Sequence, residues 1–216
     1  MNNTTELVFI LDKSGSMAGM EKDTIGGFNA MLAKQKECQG KAFVSTVLFS
    51  NSSVVIHDRM PLEQVPQMTG SDYVVGGMTA LLDAVGDAIN HVKNIHRYIR
   101  AEDVPQSTVF VITTDGMENC STKYSHKQIK EMIKEQQEKH GWEFVFLAAN
   151  IDAGEVAESI GVGREHAVNY NVAEETDEMY EAVSEAICAY RQSPTRKMRC
   201  GSKIERDIKS KKSKKK

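Results

Sequence analysis

The chain has 216 residues, 40% of them hydrophobic and 26% charged, with a formal net charge of −3. This fits one soluble domain plus an appendage and excludes a low-complexity chain. The charge is unevenly placed: residues 191–216 carry 12 Lys/Arg against Glu205 and Asp207, leaving residues 1–190 with 15 Lys/Arg against 28 Asp/Glu. So acidic a body argues against nucleic-acid binding by the globular part.

Leu7 to Leu11 is a continuous apolar run ending at Asp12, the pattern of a parallel strand buried on both faces. Glu21 to Lys36 reads as a helix with Ile25, Phe28, Met31 and Leu32 on one face. Gly26 and Gly27 inside it cost roughly 1 kcal/mol each relative to alanine. They either allow close packing on the sheet or mark a break. Ala42–Phe49 and Ser53–His57 read as strands joined by the polar turn Ser50-Asn51-Ser52, which suits an antiparallel hairpin.

After a loop with Pro61, Pro66 and Gly70, a long amphipathic helix begins near Leu81. Its apolar stripe is Leu81, Leu82, Val85, Ile89, Val92, Ile95 and Ile99. Thr79 stands at its expected N-cap position. Thr108–Thr113 is a further buried strand leading to Asp115, and Ser125–His140 is a polar helix expected to be exposed. Phe144–Ala149 reads as a strand, Gly154–Ile160 as a short helix, His166–Tyr170 as the last strand and Ala173–Arg191 as the closing helix. Alternating strands and helices predict an α/β domain over residues 1–191 with a mostly parallel sheet. Residues 192–216, ending KKSKKK, predict a disordered basic tail. Such a tail suits an anionic surface: nucleic acid, an anionic membrane, an acidic protein or the acidic body itself.

Cys38, Cys120, Cys188 and Cys200 form no C-x-x-C pair and suit neither a zinc module nor a small disulfide scaffold. Reduced thiols in a cytoplasmic protein are the expectation. No apolar segment reaches the ~20 residues of a membrane-spanning helix, and the N-terminus lacks the basic and apolar regions of a signal peptide.

Functional residues of doubly wound folds gather at the carboxyl ends of strands. Three loops qualify here. The first offers Asp12, Ser14 and Ser16, with Gly15 allowing a tight turn between the serines; the second offers Thr79 and the third Asp115. All five are oxygen donors, a set that suits a hard cation such as Mg2+ or Mn2+. Two carboxylates formally neutralise a divalent ion. Neutral hydroxyl ligands leave it electrophilic, and the side chains need not fill six positions.

The D-x-S-G-S pattern at Asp12-Lys13-Ser14-Gly15-Ser16 resembles the metal-ion-dependent adhesion site (MIDAS) of von Willebrand factor type A (vWA) domains. Thr79 in GGMTALLDAV and Asp115 in VITTDGMEN stand where that family has its second-loop threonine and third-loop aspartate. The resemblance spans roughly Glu6 to Arg191 and is nearest to small bacterial single-domain members. It implies a doubly wound, Rossmann-like α/β fold with a mostly parallel six-stranded sheet, one antiparallel strand and flanking helices. It also implies direct metal contacts from Ser14, Ser16 and Thr79, and direct or water-mediated ones from Asp12 and Asp115. An acidic residue of a protein partner would complete the shell, and no small-molecule substrate is expected.

The alternatives are specific. Asp12, Ser14 and Ser16 also suit a helix-capping turn. An aspartate after a first strand also opens Mg-dependent phosphate-ester hydrolases, but their usual second acid is here Ser14. No phosphate-binding glycine loop and no G-x-S-x-G motif occurs. A third reading is a nucleic-acid or membrane adaptor working through the tail. His91 and His96, five apart on one helix, are poorly placed to share a metal. Cys120 and His126 are read as ordinary loop residues rather than a rim, and Asn150 and Asp152 as a helix cap.

Overall fold

The computed structural model describes residues 4–149, 151–170, 172–193 and 198. The expected tail, residues 192–216, falls almost entirely outside that set, as does Asn150. Six strands form one sheet in the order β3-β2-β1-β4-β5-β6. They are β1 (Thr4–Asp12), β2 (Lys41–Phe49), β3 (Ser53–Pro61), β4 (Ser107–Thr114), β5 (Glu143–Ala149) and β6 (Ala167–Tyr170). Only the β2–β3 hairpin is antiparallel. Among the described residues five helices flank the sheet: α1 (Glu21–Glu37), α2 (Leu81–Tyr98), α3 (His126–His140), α4 (Ala153–Ile160) and α5 (Val172–Gln192).

β1 is buried along its whole length because helices cover both of its faces. Leu7, Phe9 and Leu11 enter the core under α1 and α5. Val8 and Ile10 point the other way, into the core under α2, α3 and α4. This alternation explains the unbroken apolar run in the sequence. α3 is less exposed than its composition predicts, since Ile129, Ile133 and Gln136 are buried.

Two ambiguities resolve. Gly27 is a packing residue: a Cβ there would collide with the Tyr180 ring of α5, whereas Gly26 faces open space. The close approach is thus between helices rather than onto the sheet. β3 runs four residues beyond its expected end at His57. Asp58 and Arg59 form a bulge between the pairs Thr46–His57 and Val44–Met60, and Arg59 adopts φ 44°. The bulge interrupts the apolar alternation, which hides the strand's continuation in the sequence.

The expectation of four reduced thiols is corrected. Cys38, just past α1, and Cys188 of α5 form a disulfide with Cα atoms 5.8 Å apart, an ordinary spacing for the bond. Cys120 is free. Among the described residues no helix is long and apolar enough to cross a membrane.

Candidate metal centre

The sheet order reverses at the β1/β4 boundary, where doubly wound folds open their binding crevice. β1 ends at Asp12 and β4 at Thr114, and their parallel register runs to Leu11–Thr113. Asp12 and Thr114 are therefore neighbours, and the Thr114 hydroxyl donates to Asp12 Oδ2 at 2.6 Å. The Ser14 amide donates to Asp12 Oδ1 at 2.7 Å. This fixes the turn so that Ser14 and Ser16 face the same way. Their hydroxyl oxygens lie 3.0 Å apart, and Ser16 Oγ donates to Asp115 Oδ1 at 2.6 Å.

Thr79 closes the cradle. A Cβ built on Gly116 would lie 3.0 Å from both Thr79 Oγ1 and Ser16 Oγ, and 3.8 Å from Asp12 Oδ2. Oxygens from the first two loops thus surround one point beside the third, which Gly116 leaves free. Asp12, Ser14, Thr79 and Asp115 are buried while Ser16 is exposed, so the cradle opens to solvent on the Ser16 side. Burial pushes the carboxyls of Asp12 and Asp115 above their usual range; hydrogen bonds from Thr114 and Ser14 to Asp12, and from Ser16 to Asp115, oppose the rise without cancelling it.

The donor set fits a hard divalent ion. Adjacent ligands of an octahedral Mg2+ at 2.0–2.1 Å are about 2.9 Å apart, close to the 3.0 Å between the two serine oxygens. Two buried carboxylates with raised proton affinity match the ion's charge. Among the described residues no three His, Cys, Asp or Glu side chains cluster as metal ligands; a site here relies on hydroxyls.

One expectation about Thr79 fails. The N-cap of α2 is Ala80, without a side-chain cap. The third loop supplies the capping instead: Glu118 Oε2 accepts from the Leu82 amide at 2.9 Å and Ser121 Oγ from the Asp83 amide at 3.1 Å. Thr79 is held through its backbone, its N–H donating to Asn119 Oδ1 at 2.9 Å and its C=O accepting from the Asn119 N–H at 3.1 Å. In return Asp83 accepts the amides of Thr122, Lys123 and Tyr124.

The first two loops are tied as well. Gly15 N–H donates to Gly77 C=O at 2.9 Å and Gly76 N–H to Lys13 C=O at 2.8 Å. The buried Tyr73 hydroxyl donates to the Asp12 carbonyl. Tyr73, Glu118 and Asn119 are positioning residues that sequence reasoning missed. Their partners lie tens of residues away; the only available signal was polar and aromatic groups near the three candidate loops.

The remaining candidates sit elsewhere. His91 is exposed against Asp58, and His96 is half-buried with Nε2 2.6 Å from the fully buried Glu6 carboxylate. Asp152 caps α4, accepting from the Glu155 amide at 2.9 Å. His126 is an exposed first residue of α3, and the Cys120 amide donates to Glu118.

No protein-family profile and no curated protein matches the chain. Solved structures do. A structure of proximal thread matrix protein 1 from the mussel byssus, described as having a zinc-occupied MIDAS motif, is 14% identical with a TM-score of 0.57. It covers 85% of this chain and 46% of its own. The ArnB paralog VWA2 from Sulfolobus acidocaldarius is 16% identical with a TM-score of 0.54, over 82% of this chain and 44% of its own. A von Willebrand factor type A protein from Catenulispora acidiphila is 14% identical with a TM-score of 0.54, over 83% and 42%. The chain spans less than half the length of each of these. Sheet order and neighbours together show the von Willebrand factor type A fold.

Proposed function

We propose that the domain is a non-catalytic protein-interaction module that binds a partner's carboxylate through a divalent cation. Asp12, Ser14, Ser16, Thr79 and Asp115 would hold the ion, Mg2+ or Mn2+. Bound there, the ion would supply an electrophilic centre with a position left for a carboxylate oxygen. The observation that carries this reading is the convergence of Ser16, Thr79 and Asp12 oxygens on the point Gly116 leaves free. The zinc-occupied motif of the mussel protein supports a divalent ion in a site of this fold.

Recognition is favoured over turnover by the state of the three nucleophile candidates, Asp12, Ser14 and Ser16. Asp12 is 0% exposed and both its oxygens already accept hydrogen bonds, so it is poorly placed to attack a phosphate ester. The hydroxyls of Ser14 and Ser16 are bound to each other and to Asp115; no histidine base serves them. We further propose that the module is cytoplasmic.

Calorimetric titration with Mg2+ and Mn2+ tests the site. The wild type is expected to bind with a Kd in the micromolar-to-millimolar range. Gly116→Ala, whose methyl group would enter the cradle, is expected to weaken binding at least about tenfold, which is about 1.4 kcal/mol. Equal affinity in the two proteins would move the ion elsewhere. Metal-dependent turnover of an aryl phosphate that Asp12→Asn abolishes would revive the hydrolase.

A further inference from the structure

We infer that the rim of the cradle selects a partner carboxylate set between apolar side chains, not one within a run of acids; this rests on the metal-dependent reading above. Six large hydrophobic side chains are exposed among the described residues. Three of them, Val74 (64% exposed), Met78 (51%) and Met117 (68%), stand on the two loops that supply Thr79 and Asp115. Singly exposed apolar residues need no explanation. Half of the set gathered beside one cradle does.

Their placement is tight. Met78 directly precedes Thr79. Met117 follows Gly116, whose open Cβ position is 3.0 Å from Ser16 Oγ and Thr79 Oγ1. The backbone beneath them is fixed: the Met78 amide donates to Asn51 Oδ1 at 2.9 Å, and Val74 follows Tyr73, which is anchored to the Asp12 carbonyl. Methionine side chains on a fixed backbone can adapt to differently shaped apolar neighbours of a bound acid.

Charge narrows the partner further. The carboxylates of these loops are engaged within the domain. Asp12 and Asp115 form the cradle, Asp72 accepts from Thr69, and Glu118 caps α2. The rim formed by Val74, Met78 and Met117 is therefore apolar. The body around it is strongly acidic, with 28 Asp/Glu against 15 Lys/Arg in residues 1–190. A polyacidic partner would meet that field and be repelled. A single carboxylate with apolar flanks meets the complementary surface.

The test is fluorescence anisotropy with three labelled peptides, each with a central glutamate, flanked by Leu and Phe, by Ser and Gly, or by Asp and Glu. Each is titrated in Mg2+ and in EDTA. The expected result is Mg2+-dependent binding in which the apolar-flanked peptide leads by about tenfold. The double variant Met78→Ser/Met117→Ser is expected to lose that preference while its calorimetric Mg2+ affinity stays unchanged. Equal Mg2+-dependent binding of all three peptides overturns the inference and leaves the metal-dependent reading standing, as does a lead for the acid-flanked peptide. A preference that survives in the double variant overturns the rim assignment. No Mg2+-dependent binding of any peptide overturns both.

Discussion

Asp12 is a fully buried carboxylate at the end of a central strand. Two hydrogen bonds do not repay its desolvation, so burial holds its proton affinity above normal. Without metal, that is a cost to the fold. A carboxyl whose folded pKa is raised binds protons more tightly in the folded than in the unfolded chain. Its favourable contribution is present below the unfolded pKa and disappears as pH rises through the folded value. Asp12→Asn keeps the side-chain shape without the charge. The metal-free variant should exceed the metal-free wild type in stability at pH 7 by about 1 kcal/mol or more, and the gap should close on acidification towards pH 4. Chemical denaturation in EDTA at several pH values reads this directly. A variant less stable than wild type at neutral pH would show that the two hydrogen bonds outweigh the buried charge. Added Mg2+ should reverse the order, because only the wild type can use it.

Glu118 works between elements. It joins the loop after β4 to the start of α2, accepting from the amides of Leu82, Cys120 and Ser121 and from the Ser121 hydroxyl. Burial alone would push its carboxyl up, but the three amides and the hydroxyl outweigh burial and hold it below the usual range. Its sign is therefore opposite to that of Asp12: the stability it gives is present above the unfolded pKa and is lost as pH falls through the folded one. Glu118→Ala should cost about 1–2 kcal/mol at pH 7, measured by urea denaturation, and less at pH 4. It should also weaken Mg2+ binding, since the neighbouring Asn119 orders the Thr79 backbone; an unchanged affinity would confine Glu118 to stability. The residues of the cradle were legible in the sequence because Asp12, Ser14 and Ser16 fall within five positions, and because Thr79 and Asp115 each sit beside an element with a clear apolar pattern. Glu118, Asn119 and Tyr73 were not, because their roles depend on contacts between chain segments roughly 36 to 61 residues apart. The misreading of Thr79 as an N-cap has the same origin. Local spacing placed a hydroxyl near the helix start, while the capping acceptor came from another loop.

Taken as a whole, the molecule has a sheet pinned by two buried cores and a seam between its first and last helices. Periodicity revealed most of the cores, the bulged second half of β3 and the buried face of α3 excepted. The seam is a matter of topology. Cys38 and Cys188 are separated by 150 residues, and nothing local announces their pairing. Around them Gln35 donates to the Ser184 carbonyl at 2.9 Å, and the buried Arg191 donates to the carbonyls of Gln35 and Gly40, both at 2.8 Å. Closing a loop of this length stabilises the folded state by up to about 5 kcal/mol in the chain-entropy account. For a domain of this size each kcal/mol is worth roughly 2–4 °C. A reducing cytoplasm would work against the bond, so the proposed compartment and the disulfide pull in opposite directions and the bond's contribution becomes the measurable quantity. Thermal denaturation with and without reductant, alongside Cys38→Ser/Cys188→Ser, should show a midpoint at least about 5 °C lower when the bond is absent. A non-reducing peptide map should carry a Cys38–Cys188 crosslink. Equal midpoints and no crosslink would remove the clamp. The Mg2+ affinity should not follow the midpoint. Cys38 lies just before β2, whose Lys41 pairs with Thr4 at the start of β1, whereas the cradle is at the end of β1. Opening the clamp therefore loosens the end of the sheet away from the cradle, and on the proposed reading the folded, reduced protein should bind Mg2+ as the oxidised one does.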